Sequence, residues 1–200
     1  MTEGTHTLTP AIRTSSRGFT LIEMLVVVAV IVIITATVLA NNNKFGGVVQ
    51  LQNLAYDIAL STREAQVYGV STLHFHSTFN SPFGVHYDLS SPLQYTIFAD
   101  AVNTNGVYDS GENLQTTNIT RGYQISQLCV TPNGGSEDCT ATKLDITYQH
   151  PEPDAYIRAN GQATLYRAAR IVVSSPRGDT MSVSLDSNGE ISVGQGTSGN

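Results

Sequence analysis

Hydrophobic positions along the 200 residues change their period three times, and each change predicts a different kind of element. From Phe19 to Ala40 the run FTLIEMLVVVAVIVIITATVLA is apolar on every side and holds one charged residue, Glu23. As a helix these 22 residues extend about 33 Å, enough to cross a bilayer. A polar, glycine-bearing stretch, NNNKFGG, follows. Leu51, Leu54, Ile58, Ala65 and Tyr68 then recur at helical spacing, which predicts an amphipathic continuation over residues 41–69 that stops near Gly69. Between residues 70 and 194 the signals are those of strands and turns: STLHFHS, FGVHYDL, QYTIFAD, LDITYQ and AARIVVSS, separated by Gly, Pro, Asn and Asp. A closing pair, MSVSLDS and EISVG, reads as a hairpin turning at Asn188 and Gly189. Residues 195–200 read as a flexible tail. The expected fold is α+β: one long N-terminal helix, half transmembrane and half amphipathic, packed on one side of an antiparallel sheet.

Charge sets the orientation. The first 18 residues, MTEGTHTLTPAIRTSSRG, are polar and carry Arg13 and Arg17, so the positive-inside rule leaves the N-terminus cytoplasmic and sends the remainder out. An ordinary secretory signal has a shorter apolar core and is cut after it. Here the suited cutting point is Gly18, before the run, because glycine lets a protease approach the backbone closely. Such a cut leaves the hydrophobic helix on the mature chain. The 13% of charged residues fits one extracytoplasmic domain plus this segment. Lys and Arg number 10 against 16 Asp and Glu, a formal charge of -6, which argues against nucleic acid as the main partner.

Glu23 needs a reason, since a carboxylate deep in the bilayer costs about 2.5 to 3.5 kcal/mol on insertion scales, less near a helix end. Thr20 and Glu23 have the T-x-x-E spacing of a capping box, and an acid there suits the helix dipole. The other explanation pairs Glu23 with a free α-amino group at Phe19, created by cleavage, in its own chain or a neighbouring one.

RGFTLIEMLVVVAVIVII resembles the class III signal of type IV prepilins and type II secretion pseudopilins: a basic leader ending in Gly, then Phe, then Glu at the fifth mature position. STREAQVYG, residues 61–69, resembles the corresponding helix end of the GspH/FimT-like minor subgroup. The resemblance is close over residues 17–69 and only in outline beyond. It implies a pilin-like fold, a leader at 1–18, cleavage by prepilin peptidase between Gly18 and Phe19, and N-methylation of Phe19. Glu23 would neutralise a neighbouring subunit's N-terminus during assembly on an inner-membrane platform. The chain would be a single-pass inner-membrane protein, then part of an extracytoplasmic filament of pilin or pseudopilin subunits. Many major pilins have proline at the twenty-second mature position; here it is Ala40, a departure from the typical major pilin that leaves the processing motif untouched.

Three further features carry candidate chemistry. Cys129 and Cys139 flank VTPNGGSED, whose turn formers let the ends meet, so a disulfide in an oxidising compartment is expected, with free thiols or a zinc half-site as alternatives. In FADAVNTNGVYDSGENL, residues 98–114, taking Gly106 as the sixth position of a calcium loop puts Asn103, Asn105, Asp109 and Glu112 at ligand positions. The first position falls on Ala101, with Asp100 one residue early, so calcium stands beside the alternative of a plain Asn-Gly turn. No other cofactor is expected. This stretch also resembles a strand-joining segment of the H-type pseudopilins. His74 and His76 share a strand face without a third ligand, and His86 and His150 add none; Arg63 and Glu64 read as a solvated helix face. Glu152 and Asp154, beside Pro151 and Pro153, suggest an extended edge rather than a catalytic carboxylate pair. With no G-x-S-x-G elbow and no phosphate-binding glycine loop, an enzyme is not expected.

The expected function is therefore structural, as a minor pilin or pseudopilin. The alternatives are a pilus-tip module that binds DNA, a surface or a secreted substrate, and a signal-anchored enzyme. Loss of the leader removes Glu3, Arg13 and Arg17, one net positive charge, so -6 becomes -7, which opposes the DNA reading.

Overall fold

The apolar run and the amphipathic stretch form one helix, α1, Leu21–Val70. The computed structural model describes residues 18–71, 74, 75 and 78–196. The leader up to Arg17, His76 and the last four residues of the expected tail lie outside the described residues. NNNKFGG, expected as a break, continues the helix: Gly46 and Gly47 each weaken it by about 1 kcal/mol relative to alanine, and no proline forces a stop. The chain falls into two units divided after Asn43.

In the first unit the helix from Leu21 to Leu39 is long and apolar enough to cross a membrane, with every side chain exposed. Its two threonines are satisfied locally. Thr35 Oγ1 donates to the Ile31 carbonyl at 2.7 Å and Thr37 Oγ1 to that of Ile34 at 2.8 Å. Hydroxyls that return to the preceding turn leave no bare polar group for lipid to meet.

The second unit begins at Lys44, and here the helix buries a narrow stripe: Leu51, Ala55, Ile58, Thr62, Ala65 and Gly69. Steps of four, three, four, three and four keep these residues on one face. Leu54 and Tyr68 only flank the stripe. Gly69 does not stop the helix, which runs on to Val70; it lets the helix touch a strand, since a Cβ there would stand 2.4 Å from the Tyr148 carbonyl oxygen.

Among the described residues twelve strands follow. A short ladder joins β1 (His74–Phe75) to β2 (Thr78–Phe79). The first large sheet runs in the order β5 (Asn113–Asn118), β4 (Gln94–Ala99), β3 (Phe83–Asp88), β8 (Lys143–Gln149) and β9 (Glu152–Ala159). The second runs β12 (Ile191–Gln195), β11 (Thr180–Asp186), β10 (Ala168–Ser174), β6 (Gln124–Thr131) and β7 (Asp138–Ala141). All pairs are antiparallel. One sheet was expected; among the described residues there are two five-stranded sheets besides the short β1–β2 ladder. The core joins the helical stripe to one face of each: Val85, Tyr87, Ile97, Leu144, Ile146 and Ile157 from the first, Leu128, Ile171, Val173, Val183 and Leu185 from the second. Gln66, buried on the helix, ties them together, with Nε2 donating to the Pro153 carbonyl at 2.7 Å and to that of Gly189 at 3.4 Å. Asn188 and Gly189 form the expected turn of the β11–β12 hairpin.

Candidate functional site

The N-terminal candidates sit where the helix begins. Gly18, Phe19 and Thr20 precede α1 and are exposed, Phe19 by 77%. Thr20 caps the helix: its Oγ1 accepts the Glu23 amide at 3.3 Å, and its carbonyl accepts the amides of Glu23 and Met24. That is half of the expected capping box. The Glu23 side chain stays exposed in the first turn, with no hydrogen bond or ion pair among the described residues. A carboxylate so placed favours the positive end of the helix dipole and keeps its oxygens available to an outside cation.

Cys129 on β6 and Cys139 on β7 are joined in a disulfide, so neither serves as a thiol nucleophile or a zinc ligand in this state. Arg170, the β10 residue directly opposite Cys129, holds the cross-link from the side. Its Nε donates to Glu137 Oε1 at 2.8 Å, and its Nη2 to Glu137 Oε2 at 2.5 Å and to Cys129 Sγ at 3.5 Å. The Glu137 carboxylate raises the Arg170 pKa.

Residues 100–112 fold over the outer face of the first sheet, held from within by two buried carboxylates. Asp100 accepts the amides of Asn105 and Gly106 at 3.0 and 2.7 Å. Glu112 accepts those of Ala101 and Val102 on one oxygen and that of Asp109 on the other. Burial raises the Asp100 pKa, and the nearby Glu112 charge adds to this against the pull of the amides. Asn103, Asn105 and Asp109 do converge, both amide Nδ2 groups reaching Asp109 Oδ2 at 2.7 and 3.0 Å. The fit to a hard cation is thus partial: three of the four expected ligands share a point, while Glu112 spends both oxygens on the backbone. Gly106, at φ 77°, lies against the Arg158 guanidinium, where any Cβ would collide.

Beneath the loop lies a pair that the sequence reading left out. His86 Nδ1 and Asp145 Oδ1 stand 2.7 Å apart on neighbouring strands, and the Tyr108 amide donates to the same oxygen at 3.1 Å. Alternation on β8 already sets Asp145 opposite to Leu144 and Ile146; its complete burial comes from the loop above. His150 instead caps α1, its Nδ1 donating to the Val70 carbonyl at 2.9 Å. Glu152 and Asp154 are exposed on β9, an edge strand. Arg63 is exposed, whereas Glu64 accepts the Tyr68 hydroxyl at 2.5 Å. His74 lies on β1.

Comparison with known proteins bears on the N-terminal site. Residues 13–39 match the family model described as the prokaryotic N-terminal methylation motif. The chain thus carries a type IV prepilin-like motif across Gly18, Phe19, Glu23 and the apolar helix, the arrangement of a membrane-anchored, single-pass substrate of prepilin peptidase. No curated protein and no solved structure matches the chain.

Proposed function

We propose that this chain is a minor pilin or pseudopilin of the GspH/FimT-like kind, a structural subunit of a type IV pilus or type II secretion pseudopilus. Prepilin peptidase cuts between Gly18 and Phe19 and methylates the new Phe19 amine. Before assembly the chain spans the inner membrane with its N-terminus cytoplasmic. On the inner-membrane platform it joins other subunits through the helix that begins at Phe19. The observation that carries this reading is the methylation motif at residues 13–39, a stretch that includes Gly18, Phe19 and Glu23. Apolar stripes packed helix to helix hold such a filament, and a Glu23-to-amine pair between subunits fixes the axial register. STREAQVYG and the loop before Glu112 support the subgroup. The role is structural rather than catalytic. Calcium enters only as a ligand to test at Asn103, Asn105 and Asp109.

Mass spectrometry of the N-terminus of protein expressed with the peptidase tests the reading. The expected product begins with methylated Phe19; a chain that keeps Met1, or an unmethylated Phe19, overturns it. Glu23→Ala should leave cleavage intact and reduce incorporation into filaments by at least about tenfold, the scale of losing one close ion pair of about 1.4 kcal/mol. Wild-type incorporation of that variant would remove Glu23 from the assembly contact.

A further inference from the structure

On its outer face the first sheet carries a cross-strand row of polar residues. Register sets Thr116 on β5 opposite Thr96 on β4, Thr96 opposite His86 on β3, His86 opposite Asp145 on β8, and Asp145 opposite Arg158 on β9. Hydrogen bonds join parts of this row and miss its middle. Thr96 and Thr116 share one at 3.2 Å, the Asn113 side-chain amide donates to Thr116 Oγ1 at 2.7 Å, and His86 Nδ1 is committed to Asp145. No hydrogen bond among the described residues joins His86 to Thr96, although directly opposed residues bring their Cβ atoms within about 4.5 to 5.5 Å. A cavity of about 200 Å³ opens at this break.

Each of the nine residues that line the cavity carries a polar side-chain group, and all belong to the second unit. Drug-sized sites run to about 300 to 1,000 Å³ and are largely apolar; this cavity is smaller, and no aliphatic residue lines it. Tyr108 forms one wall, its ring 4.8 Å from that of His86 and edge to face with Phe98 at 5.5 Å. The His86 ring is held from behind. Asp145 is completely buried, and its Oδ2 has no hydrogen-bond partner among the described residues. A buried carboxylate of that kind costs stability, and what it secures is the imidazole, with Nδ1 taken and Nε2 left for the cavity. Asp88 has one oxygen on the Ser90 amide at 2.8 Å and the other 3.5 Å from Lys143 Nζ, so its charge is balanced while lone pairs remain. Gln94, exposed at the rim, offers both a donor and an acceptor. An anion would meet the Asp88 carboxylate, and a cation would find that carboxylate already paired with Lys143. A compact neutral ring bearing several hydroxyls satisfies such a lining.

We propose that this cavity binds one neutral pyranose unit of a glycan, with His86 Nε2 and Asp88 accepting from its hydroxyls and Gln94 answering from the rim. The site goes beyond the assembly role. Because every lining residue lies within the second unit, it does not depend on the membrane or filament reading.

Saturation-transfer NMR on the full-length chain tests this, in a detergent without a sugar headgroup so that the micelle does not compete. The probes are free D-glucose, D-galactose, D-mannose and N-acetyl-D-glucosamine, with D-glucuronate as the anionic counterpart. At least one neutral sugar should receive saturation, and glucuronate should bind at least about tenfold more weakly. Thr116→Trp, at an exposed position of the edge strand, fills the cavity and should abolish the transfer, whereas Gln115→Trp, on the opposite face of the same strand, should not. His86→Ala should raise the dissociation constant about tenfold and Gln94→Ala about threefold. His86→Ala also leaves Asp145 buried alone, so the two Trp variants and Gln94→Ala decide the matter if that variant unfolds. No transfer to any of the neutral sugars, transfer that survives Thr116→Trp, or glucuronate binding as tightly as the neutral sugars overturns the proposal.

Discussion

The two halves of α1 share a backbone conformation and differ in what surrounds them. From Leu21 to Leu39 nearly every residue is apolar, none is buried, and the two threonine hydroxyls bond only to their own helix. From Lys44 to Val70 apolar residues keep to a stripe, and that stripe is covered by two sheets. Hydrogen bonding within the helix is therefore not what separates an anchor from a core element. The width of the apolar surface decides it: a full cylinder calls for a surrounding apolar solvent, whereas a stripe about one residue wide calls for one packed partner. The same isoleucine contributes to insertion in one half and to folding in the other.

The strongest way to break this comparison is to truncate one isoleucine in each half. Ile58 is fully buried among side chains of the core, so Ile58→Ala removes a filled volume and should destabilise the second unit by about 2 to 5 kcal/mol. Ile31→Ala, in the exposed half, should leave that unit's unfolding unchanged within about 0.5 kcal/mol. Denaturant unfolding of the full chain in detergent, followed by near-ultraviolet circular dichroism, measures both. Equal losses would mean that the exposed half also supports the fold.

A subtler test uses two threonines with the same local bond. Thr35 and Thr62 each donate to the carbonyl four residues back, at 2.7 and 2.8 Å. Thr62 has a second duty: its single proton is spent on Ile58, so the Tyr87 hydroxyl, 3.1 Å away, must donate to it. Burial raises the Tyr87 pKa, which keeps that hydroxyl a donor at any ordinary pH. Thr62→Val leaves the buried hydroxyl without its partner and should cost about 1 to 3 kcal/mol. Thr35→Val should leave the second unit unaffected. Unfolding free energies of the two variants check the difference, and a neutral Thr62→Val would show that Tyr87 finds another acceptor.

The same contrast explains what could be read in advance. A continuous apolar run and a helical stripe are local patterns, so both halves of α1 were legible, as was the methylation motif at residues 13–39. FGVHYDL, QYTIFAD and AARIVVSS announce strands because one face of each is apolar. β5, NLQTTN, was not announced, because an exposed edge strand has no face to bury. β6 was hidden by a bulge, its pairing with β10 shifting between Val172 and Val173, which breaks the alternation around Ser126. Two sheets could not be told from one, because β6 and β10 pair across some forty residues and nothing local records it. His86 and Asp145 were missed for a related reason: alternation sets them on the outer face, and only the loop from Asp100 to Glu112 turns that face into an interior.

The smallest effect concerns the acids of the two halves. Glu23 has no partner among the described residues, whereas Glu64 accepts the Tyr68 hydroxyl at 2.5 Å. That hydrogen bond, with burial and the Glu64 charge behind it, raises the Tyr68 pKa above the usual value near 10. A raised folded-state pKa means that the folded chain holds its proton where the unfolded chain releases it. The associated stability is complete below about pH 10 and is lost as pH rises through the folded-state value. Glu64→Gln removes the charge and should move the Tyr68 midpoint down toward 10, flattening the alkaline dependence of Tm, while changing stability at pH 7 by no more than about 0.5 kcal/mol. Absorbance titration of the folded chain at alkaline pH, with Tyr68→Phe to assign the signal, reads the shift. An unmoved midpoint would mean that burial alone holds the proton. The Glu64 carboxylate would then be as unengaged as that of Glu23, and the contrast between the two acids would be lost.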